Sequence, residues 1–169
     1  MTDRSIAIRR LGEADAADYR AIRLAALQGA PEAFGSTYAV EAARPLSAFA
    51  ERLAASTVVG AYAGRDIVGL AGFKRDDGEK HRHKGFVWGL YVRPDLRRRG
   101  LAALLMRRLL AEAAQTAEQV TLTVARGNDS ALTLYKKLGF AVYGVEPRAL
   151  RNASGYCDEI LMVKFLRTE

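Results

Sequence analysis

Residues 86–108 constrain this chain more than any other stretch. The run Phe86-Val87-Trp88-Gly89-Leu90-Tyr91-Val92 has no polar face, which predicts a central strand covered on both sides. Arg93-Pro94-Asp95 breaks it, and the loop Arg97-Arg98-Arg99-Gly100-Leu101-Ala102 follows. A Leu-rich pattern then predicts a helix over 100–116, with Leu101, Leu104, Leu105 and Leu109 on one face. A strand that passes through such a loop into a helix presents unpaired N–H groups and about half a positive elementary charge at one spot. Gly100 permits close backbone approach, Ala102 is too small to obstruct a ligand, and arginines fork onto phosphate oxygens. An Arg-rich helix start that is simply solvated would carry the same residues. The loop lacks the Gly-Lys-Ser/Thr of a P-loop and the spaced glycines of a dinucleotide fingerprint.

The charge balance bears on that choice. The chain of 169 residues carries a net charge of +7 and a pI near 9.8. Arg93, Arg97, Arg98, Arg99, Arg107 and Arg108 are close together, which favours one anionic ligand over a spread nucleic-acid face. A nucleic-acid surface would interleave its basic residues with exposed aromatics, and this cluster does not. Half the residues are apolar, as in globular proteins, and the length fits one domain over 1–169. No apolar run nears the roughly 20 residues of a membrane span. The opening residues alternate too soon for a secretory leader. Cys157 is the only cysteine, so no intrachain disulfide forms and a cytoplasmic location is expected.

Along the chain, residues 5–10 predict an edge strand. Residues 13–29 predict a helix ended by Gly29 and Pro31, 31–44 a mixed segment, and Ser47 a cap for a second helix to about residue 55. Residues 57–63 and 67–74 form a hairpin about Gly64-Arg65-Asp66. Residues 75–84 are wholly polar and read as an exposed loop. His81 and His83 lie there, without a third ligand to make a metal site. A β-branched strand at 119–124, a short helix at 130–138 capped by Asn128 or Asp129, and strands at 140–145 and 156–166 complete the chain. The order predicts an α/β fold: one mixed sheet with helices on both faces.

A second cluster, Asn128-Asp129-Ser130-Ala131-Leu132-Thr133-Leu134-Tyr135-Lys136-Lys137-Leu138-Gly139-Phe140, follows the loop at a fixed remove. Taken alone, Tyr135 reads as a packed helix aromatic. Together the two clusters resemble the GCN5-related N-acetyltransferase (GNAT) superfamily. The loop 97–102 matches the family's Arg/Gln-x-x-Gly-x-Gly/Ala element. Asn128, Ala131, Leu134-Tyr135, Lys137 and Gly139-Phe140 match its second block, and Val92-Arg93-Pro94-Asp95 the end of the preceding strand. The segments Arg23-Leu24-Ala25-Ala26-Leu27, Pro31-Glu32-Ala33-Phe34-Gly35 and 155–162 resemble a bacterial subgroup.

The resemblance implies direct acetyl transfer from acetyl-CoA to an amine, on a mostly antiparallel mixed sheet splayed between strands 86–92 and 119–124. It places the pantetheine along Leu90, Tyr91 and Val92, with a bulge near Gly89 that turns an N–H toward the thioester carbonyl. It places the pyrophosphate on residues 97–103, that is Arg97, Arg98, Arg99, Gly100, Leu101, Ala102 and Ala103. Asn128 then helps to bind the cofactor and Tyr135 is the general acid. Where several members carry a Glu on the strand before the Asn block, this chain has Thr123. A base is sought in water, Glu41, Asp158 or Glu159. Residues 20–55 and 145–160 are expected to shape the acceptor pocket, with Phe34, Tyr38 and Tyr156 as apolar walls, although Phe34 reads better as core. The acceptor reads as a small-molecule amine. The alternatives are a protein N-terminus or lysine, or a non-catalytic cofactor-binding or nucleic-acid-binding module. Strand 156–166 is a candidate paired edge for a homodimer.

Overall fold

A computed structural model describes residues 5–167; the first four residues of the alternating opening stretch lie outside the described residues. The strands are β1 (Ile6–Arg10), β2 (Thr57–Ala63), β3 (Asp66–Arg75), β4 (Lys84–Val92), β5 (Gln119–Ala125), β6 (Ala141–Asn152) and β7 (Gly155–Phe165). The helices are α1 (Ala16–Gly29), α2 (Tyr38–Ala42), α3 (Leu46–Ala55), α4 (Leu101–Ala113) and α5 (Asp129–Lys137). The strands form one mixed sheet in the order β1-β2-β3-β4-β5-β7-β6. Every pairing is antiparallel except that of β4 with β5.

The sheet is sandwiched because its strands alternate. Val59, Ala61, Ala71, Phe73, Val87 and Val92 point to one face, where Leu105, Met106 and Leu109 of α4 cover them. Val58, Tyr62, Leu70 and Tyr91 point to the other, beneath Tyr19 and Ile22 of α1 and Phe49 and Leu53 of α3. This is the period-two display of a strand buried on both sides. Among the described residues no helix is long and apolar enough to cross a membrane.

Several expectations are corrected. Ser47 does not cap α3; Pro45 does, and the helix starts at Leu46, since proline's fixed φ suits a helix entrance. Leu104 is not on the buried stripe of α4. It is 48% exposed, because the i, i+4 row through Leu101, Leu105 and Leu109 defines the packed face. The mixed segment 31–44 contains a short helix, α2, whose Thr37 hydroxyl accepts the Val40 N–H at 3.4 Å. Strand 156–166 is not an edge. β7 is paired on both sides, by β5 and β6, and β6 is the outer strand. The final strand inserts between two earlier ones, a long-range choice that local pattern does not record. Phe86 is not covered on both sides either: it is 38% exposed and fronts, with Trp88, a groove of about 400 Å³ that Lys74, Arg75, Asp76 and Asp77 complete.

Candidate active site

The site begins with a failure of pairing. β4 and β5 share a parallel ladder only at Lys84↔Gln119, Gly85↔Val120 and Phe86↔Thr121. Beyond Phe86 the two strands separate, as the resemblance implies. β4 continues on β3 alone, and β5 on β7. The backbone edge of β4 from residue 87 onward is therefore not paired by β5, and a strand edge of this kind offers N–H and C=O groups to an amide-bearing ligand.

A bulge shapes that edge. Trp88 is opposite Gly72 and Tyr91 is opposite Leu70, so Gly89 and Leu90 together answer Ala71. Gly89 adopts φ +72°, a conformation glycine takes without penalty. Bulges re-aim the backbone, and this one lies at the mouth of the parting.

The same edge leads into the Arg-rich loop. Arg98 (φ 59°) and Gly100 (φ 77°) are both left-handed. Gly100 is the N-cap of α4 without a capping side chain. The Leu104 N–H donates to the Gly100 carbonyl at 3.1 Å, so the N–H groups of residues 101–103 come before the first helical donor. Among the described residues none accepts a hydrogen bond from the N–H groups of Arg98, Arg99, Gly100, Leu101, Ala102 or Ala103. Alternating backbone signs make a concave nest of donors, which suits an anion. Arg97 serves differently: its Nε donates to the Val92 carbonyl at 3.0 Å and its guanidinium lies 5.7 Å from the Tyr91 ring centre. It fastens the loop to the strand end.

Across the parting, after β5, Asn128 caps α5 by accepting the Ala131 N–H at 3.3 Å. The cap stands three residues after the end of β5, and Tyr135 lies two turns further along α5. The Tyr135 ring packs edge-on against Phe140 at 5.7 Å and is 8% exposed. Burial pushes its phenol above the ordinary tyrosine range, so the hydroxyl keeps its proton. Among the described residues none hydrogen bonds to that hydroxyl.

The acid candidates separate by their partners. Glu41 is buried at 3% exposure; Arg52 donates to both its oxygens, at 3.2 and 3.4 Å, and Ser36 at 3.2 Å. Asp158 pairs with Arg126 at 3.3 Å and accepts the Arg148 N–H at 2.9 Å. Glu159 is held less tightly: its Oε1 accepts the Thr123 hydroxyl at 3.2 Å. A carboxylate thus reaches Thr123 from the neighbouring strand. Tyr38 and Tyr156 are exposed, the latter beneath Arg148 and Arg151, while Phe34 is half-buried against the α1 core.

One residue of this site enters the sequence reading only as part of the segment 23–27, with no role of its own. Arg23, on α1, is 8% exposed, yet its Nε has no partner. Its Nη2 is 3.8 Å from Glu41 Oε1, and its Nη1 is 3.7 Å from where a Cβ on Gly89 would stand. The Phe34 and Trp88 rings flank it at 5.3 and 5.9 Å. Its position midway along an apolar helix, three and four residues from Ala26 and Leu27, was the available signal.

Comparison with known proteins agrees with this geometry. No curated protein matches the chain in sequence. Solved structures similar in fold include a GNAT-family acetyltransferase from Streptococcus pneumoniae (21% identity, TM-score 0.84, covering 95% of this chain and 99% of that one). Another is yncA from Salmonella typhimurium, solved with its cofactor acetyl-CoA (22%, 0.84, 98% and 96%). A third is a ribosomal-protein-alanine N-acetyltransferase from Brucella melitensis (22%, 0.80, 94% and 99%). The model of the acetyltransferase (GNAT) family matches residues 16–140, from the start of α1 to the residue before β6. The chain belongs to the GNAT family of acetyltransferases.

Proposed function

We propose that this acetyltransferase moves an acetyl group from acetyl-CoA to the primary amine of a small molecule by direct transfer. The observation that carries the reading is a coincidence in space. β4 leaves β5 after Phe86, bulges at Gly89, and leads within a few residues to the unsatisfied amides of residues 98–103. A donor with a pyrophosphate at one end and two amides along its arm fits that series. Residues 98–103 hold the phosphates, helped by the α4 N-terminus, and Leu90, Tyr91 and Val92 hold the arm. A β4 N–H at the bulge polarises the thioester carbonyl, as an oxyanion donor does.

The donor supplies an activated thioester. The acceptor nitrogen forms a bond to the carbonyl carbon, the carbon–sulfur bond breaks, and the sulfur leaves with its electron pair. Tyr135 gives its phenolic proton to that sulfur, and burial supports its role by keeping the phenol protonated. The amine proton passes to Glu159, directly or through water, because Glu159 is the acid candidate least committed to a cation. The phenol recovers its proton from solvent. The lone cysteine and the bacterial structural relatives support a cytoplasmic bacterial enzyme.

The test is acetyl-CoA consumption across polyamines, amino acids, aminoglycosides and peptide N-termini. Tyr135→Phe is expected to keep acetyl-CoA affinity and to lower kcat by about 10²–10⁴. Unchanged turnover removes Tyr135 from the mechanism, and turnover restricted to peptides removes the small-molecule acceptor.

A further inference from the structure

Arg23 is a buried cation that its surroundings do not complete. Guanidinium groups stay charged in proteins, and a buried charge ordinarily carries a full set of hydrogen bonds. Among the described residues Arg23 makes none: Nε is sealed without an acceptor, and the nearest carboxylate oxygen, on Glu41, is 3.8 Å away. Glu41 is already engaged by Arg52 and Ser36. The charges do not balance either. Two guanidiniums, Arg23 and Arg52, face one carboxylate, Glu41, and the Tyr19 hydroxyl, which accepts from Arg52 at 3.2 Å, is held neutral by its burial. The pocket has one positive charge to spare.

Its place gives the spare charge a use. Arg23 abuts the side-chain-free face of Gly89, the residue at the bulge, on the sheet face covered by α1. Phe34 and Trp88 flank the guanidinium, which leaves it few polar neighbours and strengthens its attraction to an anion. A guanidinium matches a carboxylate in a two-point fork.

We propose that Arg23 binds the carboxylate of the acceptor, and that the acceptor is a free amino acid or a close analogue, with its amine held beside the bulge. This inference rests on the acetyl-transfer reading and narrows its acceptor class. It separates a free amino acid from the N-terminal residue of a peptide, whose α-carboxyl is consumed in an amide bond. Arg23 is then a specificity-determining residue that touches substrate, and Glu41 and Arg52 position it.

The experiment pairs each proteinogenic amino acid with its α-carboxamide as acceptor, using the full-length enzyme and acetyl-CoA. Acetyl-CoA binding is measured separately by calorimetry. At least one amino acid is expected to be acetylated with kcat/KM about ten- to a hundredfold above its carboxamide, the span of a charge-assisted hydrogen bond. Arg23→Gln is expected to raise KM for the free amino acid far more than for its carboxamide and so to erase that ratio, with acetyl-CoA affinity kept. Equal rates on both members, carboxamides alone as substrates, or no amino acid acetylated overturns the inference while acetyl-CoA binding leaves the transfer reading standing. Failure to bind acetyl-CoA overturns both. The comparison on the unaltered enzyme decides the matter even where Arg23→Gln does not fold, and equal loss on both acceptors in a folded Arg23→Gln assigns the residue a structural role and overturns the proposal.

Discussion

At the scale of single residues, the site is built by omission as much as by chemistry. A Cβ on Gly72 would stand 2.5 Å from the Trp88 indole, so the ring occupies the volume a side chain there would need. Trp88 is the only tryptophan, which makes its emission a direct reporter of this contact. Gly72→Ala is expected to displace the ring, shift its emission maximum and cost about 1–3 kcal/mol, the range of overpacking. Unchanged emission and unfolding midpoint would show that the indole does not occupy that volume. Such arrangements divide what sequence discloses from what it conceals. Gly100, Ala102, Asn128 and Tyr135 could be named as candidates because their patterns are local: a loop and a helix cap, each within a few residues. Arg23 could not, because its meaning depends on Glu41 and Gly89, brought to it by the sheet.

At the scale of elements, the joints are polar and specific. The Arg9 guanidinium forks onto the Asp15 carboxylate at 2.8 and 2.9 Å, and the Gly12 N–H donates to the same group at 2.8 Å. This ties β1 to the turn that opens α1. Above all the hydrogen bond from Arg9 holds the Asp15 carboxyl below the usual carboxylate range. Its folded value thus lies under its unfolded one, about 3.9. The stabilisation is fully present above that pH and is lost as pH falls through the folded value. Asp15→Asn is expected to cost about 1 kcal/mol at pH 7, with the gap to wild type narrowing below about pH 4; urea unfolding at pH 7 and pH 3 measures both. A gap constant with pH would trace the loss to something other than the charge. Element identities were largely readable from such punctuation, and the hairpin 57–75 and the strand–loop–helix at 84–113 formed where their patterns place them. Element neighbours were harder. Nothing in the alternation of β7 records that it separates β5 from β6, because a half-buried strand reads alike at an edge and in the interior.

At the scale of the molecule, the sheet is two plates joined by three parallel residue pairs. A ligand seated in the parting touches both plates in the folded state and neither in the unfolded one, so it stabilises by mass action. Acetyl-CoA at about 100 times its Kd is expected to add about 2.7 kcal/mol and to raise Tm by about 5–10 °C for a chain of this size. A thermal shift assay reads it, and a Tm indifferent to saturating acetyl-CoA would count against a seat in the cleft. The division has a consequence of a different kind. Every strand on one side of the parting ends by Val92, and every strand on the other begins at Gln119 or later. Space and order of synthesis therefore coincide. As the chain leaves the ribosome, β1 to β4 find each other among residues already made, while β5 waits for β7, made after it, to complete its far ladder. The parting between β4 and β5 is the seam between a half made earlier and a half made later, and both its sides exist only once β7 has been made.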